Sequence, residues 1–81
     1  MRADDISARI KAAIPDAQVS VTDTTGTGDH FAATVVSPAF EGKGPVARHR
    51  LVYAALADVM QGSAAPIHAL ALTTVTPQEQ K

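Results

Sequence analysis

The sequence predicts one small α+β domain over residues 1–81, in the order α-β-β-α-β-α, with a three-stranded mixed sheet backed by helices. Three observations carry this expectation. Apolar residues recur at helical spacing over 4–14 and again after Pro45. Residues 17–23 alternate between apolar and polar. A glycine-containing loop then separates that run from a second, β-branched one, at the spacing of an antiparallel hairpin. With 81 residues, 46% of them hydrophobic but sixteen of those alanine, the core must be small and each large apolar side chain counts.

The first helix rests on Ile6, Ile10, Ala13 and Ile14, with Asp4 and Asp5 where a helix N-terminus favours negative charge. Pro15 ends it, because the residue before a proline avoids helical backbone angles. Ala17, Val19 and Val21 give the first strand its buried parity. Residues 24–29 read as a flexible polar turn, and His30 to Ser37 as the second strand. Phe40, in the connector that follows, is expected to plug the core beneath the sheet.

Pro45 suits the first position of the long helix, and Gly62 with Ser63 is expected to stop it. Its predicted buried stripe is Val46, His49, Val52 with Tyr53, Leu56, and Val59 with Met60. Ile67 to Val75 reads as a third strand, parallel to the second because a helix connects them through a right-handed crossover. Thr76-Pro77-Gln78-Glu79 has the form of a capping box and is expected to open a short terminal helix.

Composition excludes several function classes. The chain has no cysteine, which rules out a disulfide framework, a thiol nucleophile and a thiolate cage of its own. A net charge of −1 argues against strong, unspecific nucleic-acid binding. No apolar run reaches bilayer-spanning length, and the acidic start is unlike a signal peptide; a cytoplasmic location is expected. No nucleophile–base arrangement is visible, so the chain is not expected to be an enzyme.

The three histidines are the chemical candidates. His49, on the apolar stripe of the long helix, reads as a structural residue whose nitrogens find partners inside the protein. His68 stands at the start of the third strand, where an imidazole can offer one nitrogen to a metal while the other is held by a neighbour. If the second and third strands are parallel neighbours, His30 and His68 open at the same end, on strands about 4.8 Å apart. Two imidazoles are still an incomplete set, since tetrahedral sites take about four ligands, so a partner must supply the rest. Lys43, Arg48 and Arg50 form the main basic concentration, a candidate contact for phosphate or an acidic partner as well as an ordinary solvated helix face.

Together, His30-Phe31, Val35-Val36-Ser37, Phe40-Glu41-Gly42, Arg48-His49-Arg50-Leu51-Val52-Tyr53, Ile67-His68-Ala69-Leu70 and Thr76-Pro77 resemble the BolA-like family. The resemblance covers nearly the whole chain. It implies a class II KH-like arrangement and a role as a partner protein. Members of that family bind monothiol glutaredoxins and share a [2Fe-2S] cluster with them. The glutaredoxin thiolate and glutathione sulfur are the soft ligands, and the BolA-like chain supplies histidine.

Carried over to this chain, His68 matches the family's C-terminal ligand histidine. The family's second ligand, a Cys or His in the loop between the first two strands, has no counterpart in residues 24–29. His30 matches the histidine before the strand phenylalanine and is the second candidate, which makes this a histidine-type, short-loop member. The resemblance further implies a monomer when alone and a heterodimer with glutaredoxin. Two other readings stand beside it: a DNA-binding transcriptional regulator acting through Lys43, Arg48 and Arg50, and a module that pairs through a sheet edge.

Overall fold

A computed structural model describes residues 1–61 and 65–80 of the chain. The elements are α1 (Ala3–Ala13), β1 (Gln18–Asp23), β2 (His30–Val36), a 3-10 turn (Pro38–Phe40), α2 (Pro45–Met60) and β3 (Ala69–Val75). The sheet order is β1-β2-β3, with β1 antiparallel and β3 parallel to β2, as the hairpin and crossover require. No helix among the described residues is long and apolar enough to cross a membrane.

Strand parity and register divide the sheet into two faces. Val19 and Val21 of β1, Phe31, Ala33 and Val35 of β2, and Leu70 and Leu72 of β3 share one face. That face meets Ile6, Ile10 and Ile14 from the first helical segment and Val52, Leu56 and Val59 from α2 in a single core. Full burial of each such side chain contributes roughly 1.5–3 kcal/mol, so a core of this size has little redundancy. Phe40 lies in it with no exposed surface, as its place in the connector predicts. The opposite face, with Gln18, Ser20, Thr22, Ala32, Thr34, Ala69, Ala71 and Thr73, carries small and polar side chains.

Local chemistry fixes the ends of the elements. The Asp5 carboxylate accepts the Arg2 backbone N–H at 3.0 Å, satisfying one of the free donors at the start of α1. Arg9 of α1 meets Asp58 of α2 at 2.8 Å and ties the two helices on their solvent side. Ser37 is buried, donates its N–H to the Val75 carbonyl, and accepts the Ala39 N–H on its hydroxyl. That pair of bonds ends β2 and starts the 3-10 turn.

Four expectations need correction. The β1–β2 loop is not merely a flexible turn. The Asp23 carboxylate accepts the backbone N–H groups of Thr25, Gly26 and Gly28, and the two glycines take positive φ of 76° and 78°. A Cβ at Gly28 would lie 3.3 Å from the Met1 carbonyl oxygen, so the chain's start packs against this loop. Second, β3 begins at Ala69, two residues later than expected. The Ile67 N–H turns to the Val59 carbonyl and the His68 N–H to the Asp29 carbonyl, so neither enters the ladder.

Third, the terminal helix is a single turn. Thr76 and Glu79 do form the reciprocal capping box, the Thr76 N–H donating to Glu79 Oε1 at 2.9 Å and the Glu79 N–H to Thr76 Oγ1 at 3.2 Å, and the turn closes at Gln80. Fourth, Val46 is not on the buried stripe of α2 but 65% exposed, and His49 is only half-buried. The buried face is centred on Val52, Leu56 and Val59, and Val46 lies about a third of a turn away from it. The helix ends at Met60 with Gln61 extended; the proposed stop at Gly62 and Ser63 lies outside the described residues.

Candidate metal centre

The parallel β2–β3 register sets His30 across from Ala69, which brings His68, the residue just before β3, to the same end of the sheet as His30. The imidazole centroids are 6.1 Å apart and the rings nearly perpendicular, at 77°. Both side chains are substantially exposed, 43% for His30 and 52% for His68.

Asp29 stands between them. Its Oδ1 is 2.8 Å from His30 Nδ1 and its Oδ2 3.5 Å from His68 Nδ1. Its backbone carbonyl accepts the N–H groups of His68 and Ala69 at 2.8 and 3.3 Å, which fastens the approach to β3 onto the end of the loop. A hydrogen bond from the Thr27 hydroxyl, then one from His30, holds the Asp29 carboxyl below the usual carboxylate range. The carboxylate is therefore available as an acceptor for a ring N–H, in the pattern where a carboxylate orients an imidazole and leaves Nε2 free to bind.

The donor set defines what this end can do. Among the described residues no group of three His, Asp or Glu side chains is arranged to hold a metal ion. With no cysteine in the chain, it offers two nitrogen donors at most from its histidine pair and no thiolate. Such a half-site fits a metal or cluster whose remaining ligands come from another molecule.

The basic residues do not form one patch. Arg48 makes a two-pronged ion pair with Glu79 at 2.6 and 3.1 Å, donates Nε to the Lys43 carbonyl at 2.8 Å, and lies 6.0 Å from the centre of the Phe40 ring. Only 13% of its side chain is exposed, so it braces the end of the fold rather than offering a free surface cation. Lys43 and Arg50 are exposed and form no ion pair among the described residues. His49 meets Tyr53 in an edge arrangement, with centroids 6.2 Å apart, and among the described residues has no hydrogen-bonded partner of the kind expected for it.

Sequence reasoning missed Asp29. The available signal was a carboxylate directly before a candidate ligand, at the end of a loop, but its reach to His68 exists only through the parallel pairing. It also missed the outward face of α2, because the helix carries apolar residues on two sides and the expected stripe ran between them.

The sequence profile described as BolA-like protein matches residues 7–79. The chain is 56% identical over 54 residues to a DNA-binding transcriptional regulator BolA from Vibrio cholerae, a match covering 67% of this chain and 48% of that one. It is 42% identical to a solved BolA homologue from Coxiella burnetii, with a TM-score of 0.79 and coverage of 99% and 96% of the two chains. Yeast Fra2 superposes with a TM-score of 0.75 at 31% identity, covering 100% of this chain and 85% of that one. The matched stretches make up 39% of bovine BolA-like protein 1 and 48% of the Vibrio protein, less than half of either. On the profile match, the identities and the superposed structures together, the chain belongs to the BolA-like protein family.

Proposed function

We propose that this chain is a non-catalytic partner of a monothiol glutaredoxin, sharing a [2Fe-2S] cluster with it through His68 and His30, in cluster trafficking, assembly or iron sensing. The observation that carries the reading is the pairing of those two exposed imidazoles at one end of the sheet, with Asp29 between their Nδ1 atoms. Family membership and the empty β1–β2 loop point the same way: His30 is the nitrogen donor nearest to His68 that can serve as a second ligand. The cluster would supply an exchangeable, redox-active iron pair. His68 and His30 would hold one side of it, and glutaredoxin with glutathione the sulfur side. A cytoplasmic location belongs to the same reading.

The test is anaerobic cluster reconstitution of a monothiol glutaredoxin with glutathione, with and without this chain, read by visible absorption and circular dichroism. A changed spectrum with one-to-one co-elution is expected. His68→Ala should lose the change, and His30→Ala should alter it. A spectrum indifferent to this chain, with no co-elution, would remove the cluster role.

A second reading, DNA binding, is favoured by the name of the Vibrio relative and by two exposed cations, Lys43 and Arg50, that form no ion pair among the described residues. Phosphate contact of that kind must weaken steeply as salt rises and must depend on those two residues. Affinity for duplex DNA that survives their neutralisation would count against it.

A further inference from the structure

Helix α2 has a second apolar face. Lys43, just before the helix, and Val46, Ala47, Arg50, Leu51 and Ala54 follow one another at spacings of three and four and line one surface groove. Around the helix axis this set lies opposite Val52, Leu56 and Val59, which face the core. Val46 at 65% and Leu51 at 37% are the large hydrophobic residues most open to solvent among those described. Both lie in this groove, so the chain's exposed large apolar side chains are gathered in one place. Lys43 and Arg50 make no ion pair among the described residues, although Arg9 and Arg48 each find a carboxylate.

We propose that this groove docks a partner protein through an acidic amphipathic segment, its apolar side chains on Val46, Ala47, Leu51 and Ala54 and its carboxylates against Lys43 and Arg50. Charge complementarity selects this occupant. Two cations along an apolar strip, Lys43 at its start and Arg50 between Val46 with Ala47 and Leu51 with Ala54, match a segment that carries carboxylates along its apolar stripe. A nucleic-acid backbone meets the cations but leaves the apolar residues unmatched, and a basic segment meets the apolar residues but is repelled by Lys43 and Arg50. Segments of this kind bind as helices in grooves, read by anchors three and four residues apart.

The groove starts at the end of the molecule away from the histidines and runs to the middle of α2. Arg48, in the first turns of α2, reaches the Thr74 carbonyl near the end of β3, whereas His30 and His68 lie where β2 and β3 begin. Seven-residue strands separate the two ends by about 20 Å. A chain built this way can hold one partner at its histidine end and a second at its groove.

The test titrates the isotope-labelled full chain with three probes and follows its amide spectrum. The first is an amphipathic peptide with a leucine stripe flanked by glutamates, the second the same peptide with lysines for glutamates, and the third a short DNA duplex. The acidic peptide should shift amides of the Lys43–Ala54 face and leave those of His30 and His68 in place. The double substitution Lys43→Glu with Arg50→Glu should weaken the acidic peptide by about tenfold or more and transfer preference to the lysine peptide. Leu51→Ser, at a partly exposed position, should weaken both pairings. His68→Ala should leave peptide binding unchanged, which separates this proposal from the cluster reading. Absence of shifts on this face, equal binding of both peptides to the unsubstituted chain, or stronger perturbation of the face by DNA would each overturn it. Concentration-dependent shifts of the same amides without any peptide would assign the groove to a second copy and overturn it as well.

Discussion

At the scale of single residues, two carboxylates do most to organise polar chemistry, and each does it by joining segments far apart in sequence. Glu79 binds Arg48 and the Thr76 N–H, which hold its carboxyl down to about 2 from the ordinary 4.5. A depressed folded-state value stabilises the fold above pH 4.5, and that contribution disappears as pH falls from about 4.5 through about 2. Glu79→Gln, which keeps the cap's shape and loses the charge, should lower the melting temperature at neutral pH. Thermal melts between pH 6 and 2 should then fall less steeply for the variant than for the parent; parallel curves would show that the ion pair does not stabilise the fold. Asp29 joins the loop to β3 and faces both histidines. On the proposed cluster reading, Asp29→Ala should weaken cluster retention in the glutaredoxin complex by roughly 10–100-fold, the usual effect of removing a carboxylate that orients a histidine ligand. An amide spectrum of the variant alone, unchanged outside the loop, would separate that effect from unfolding.

At the scale of elements, the order of helices and strands was legible because each segment carried its own period and its own stop. Alternation marked β1, Pro15 closed the first helix, and Pro45 opened the second. The start of β3 was not legible, since Ile67 and His68 continue its apolar, β-favouring run while their N–H groups are taken by Val59 and Asp29. The face of α2 was not legible either: Val46 and Val52 are both at helical spacing from His49, and nothing local says which side meets the sheet. The two histidines could be read as neighbours from topology alone, whereas the diversion of Arg48 to Glu79 depends on where the C-terminal turn lands. Phe40 shows the limit of redundancy in so small a core, where it is fully buried beside Arg48. Phe40→Ala should cost about 3–5 kcal/mol, a large part of the ~5–15 kcal/mol typical of a whole domain. Urea denaturation measures it; a loss under about 1 kcal/mol would mean the connector can collapse into the space.

At the scale of the molecule, the sheet acts as a spacer with different chemistry towards its two ends: nitrogen donors where β2 and β3 begin, and an apolar groove holding two cations that starts near where they finish. The two should respond independently to substitution, since sites this far apart without shared partners are usually additive. The termini are divided in the same way. Met1 packs against Gly28, two residues before His30, while the last described turn is pinned through Glu79 to the start of α2. This gives fusion and labelling experiments a built-in polarity. A bulky protein joined ahead of Met1 should obstruct a companion arriving at the histidines and spare the groove, and the same protein joined after Lys81 should spare both, since Gln80 lies beside Gln18, Ser20 and Thr34 on the outer face of the sheet. Comparing the two fusions in each binding assay would show which docking event happens at the histidine end without altering any side chain, and a handle for purification belongs after Lys81.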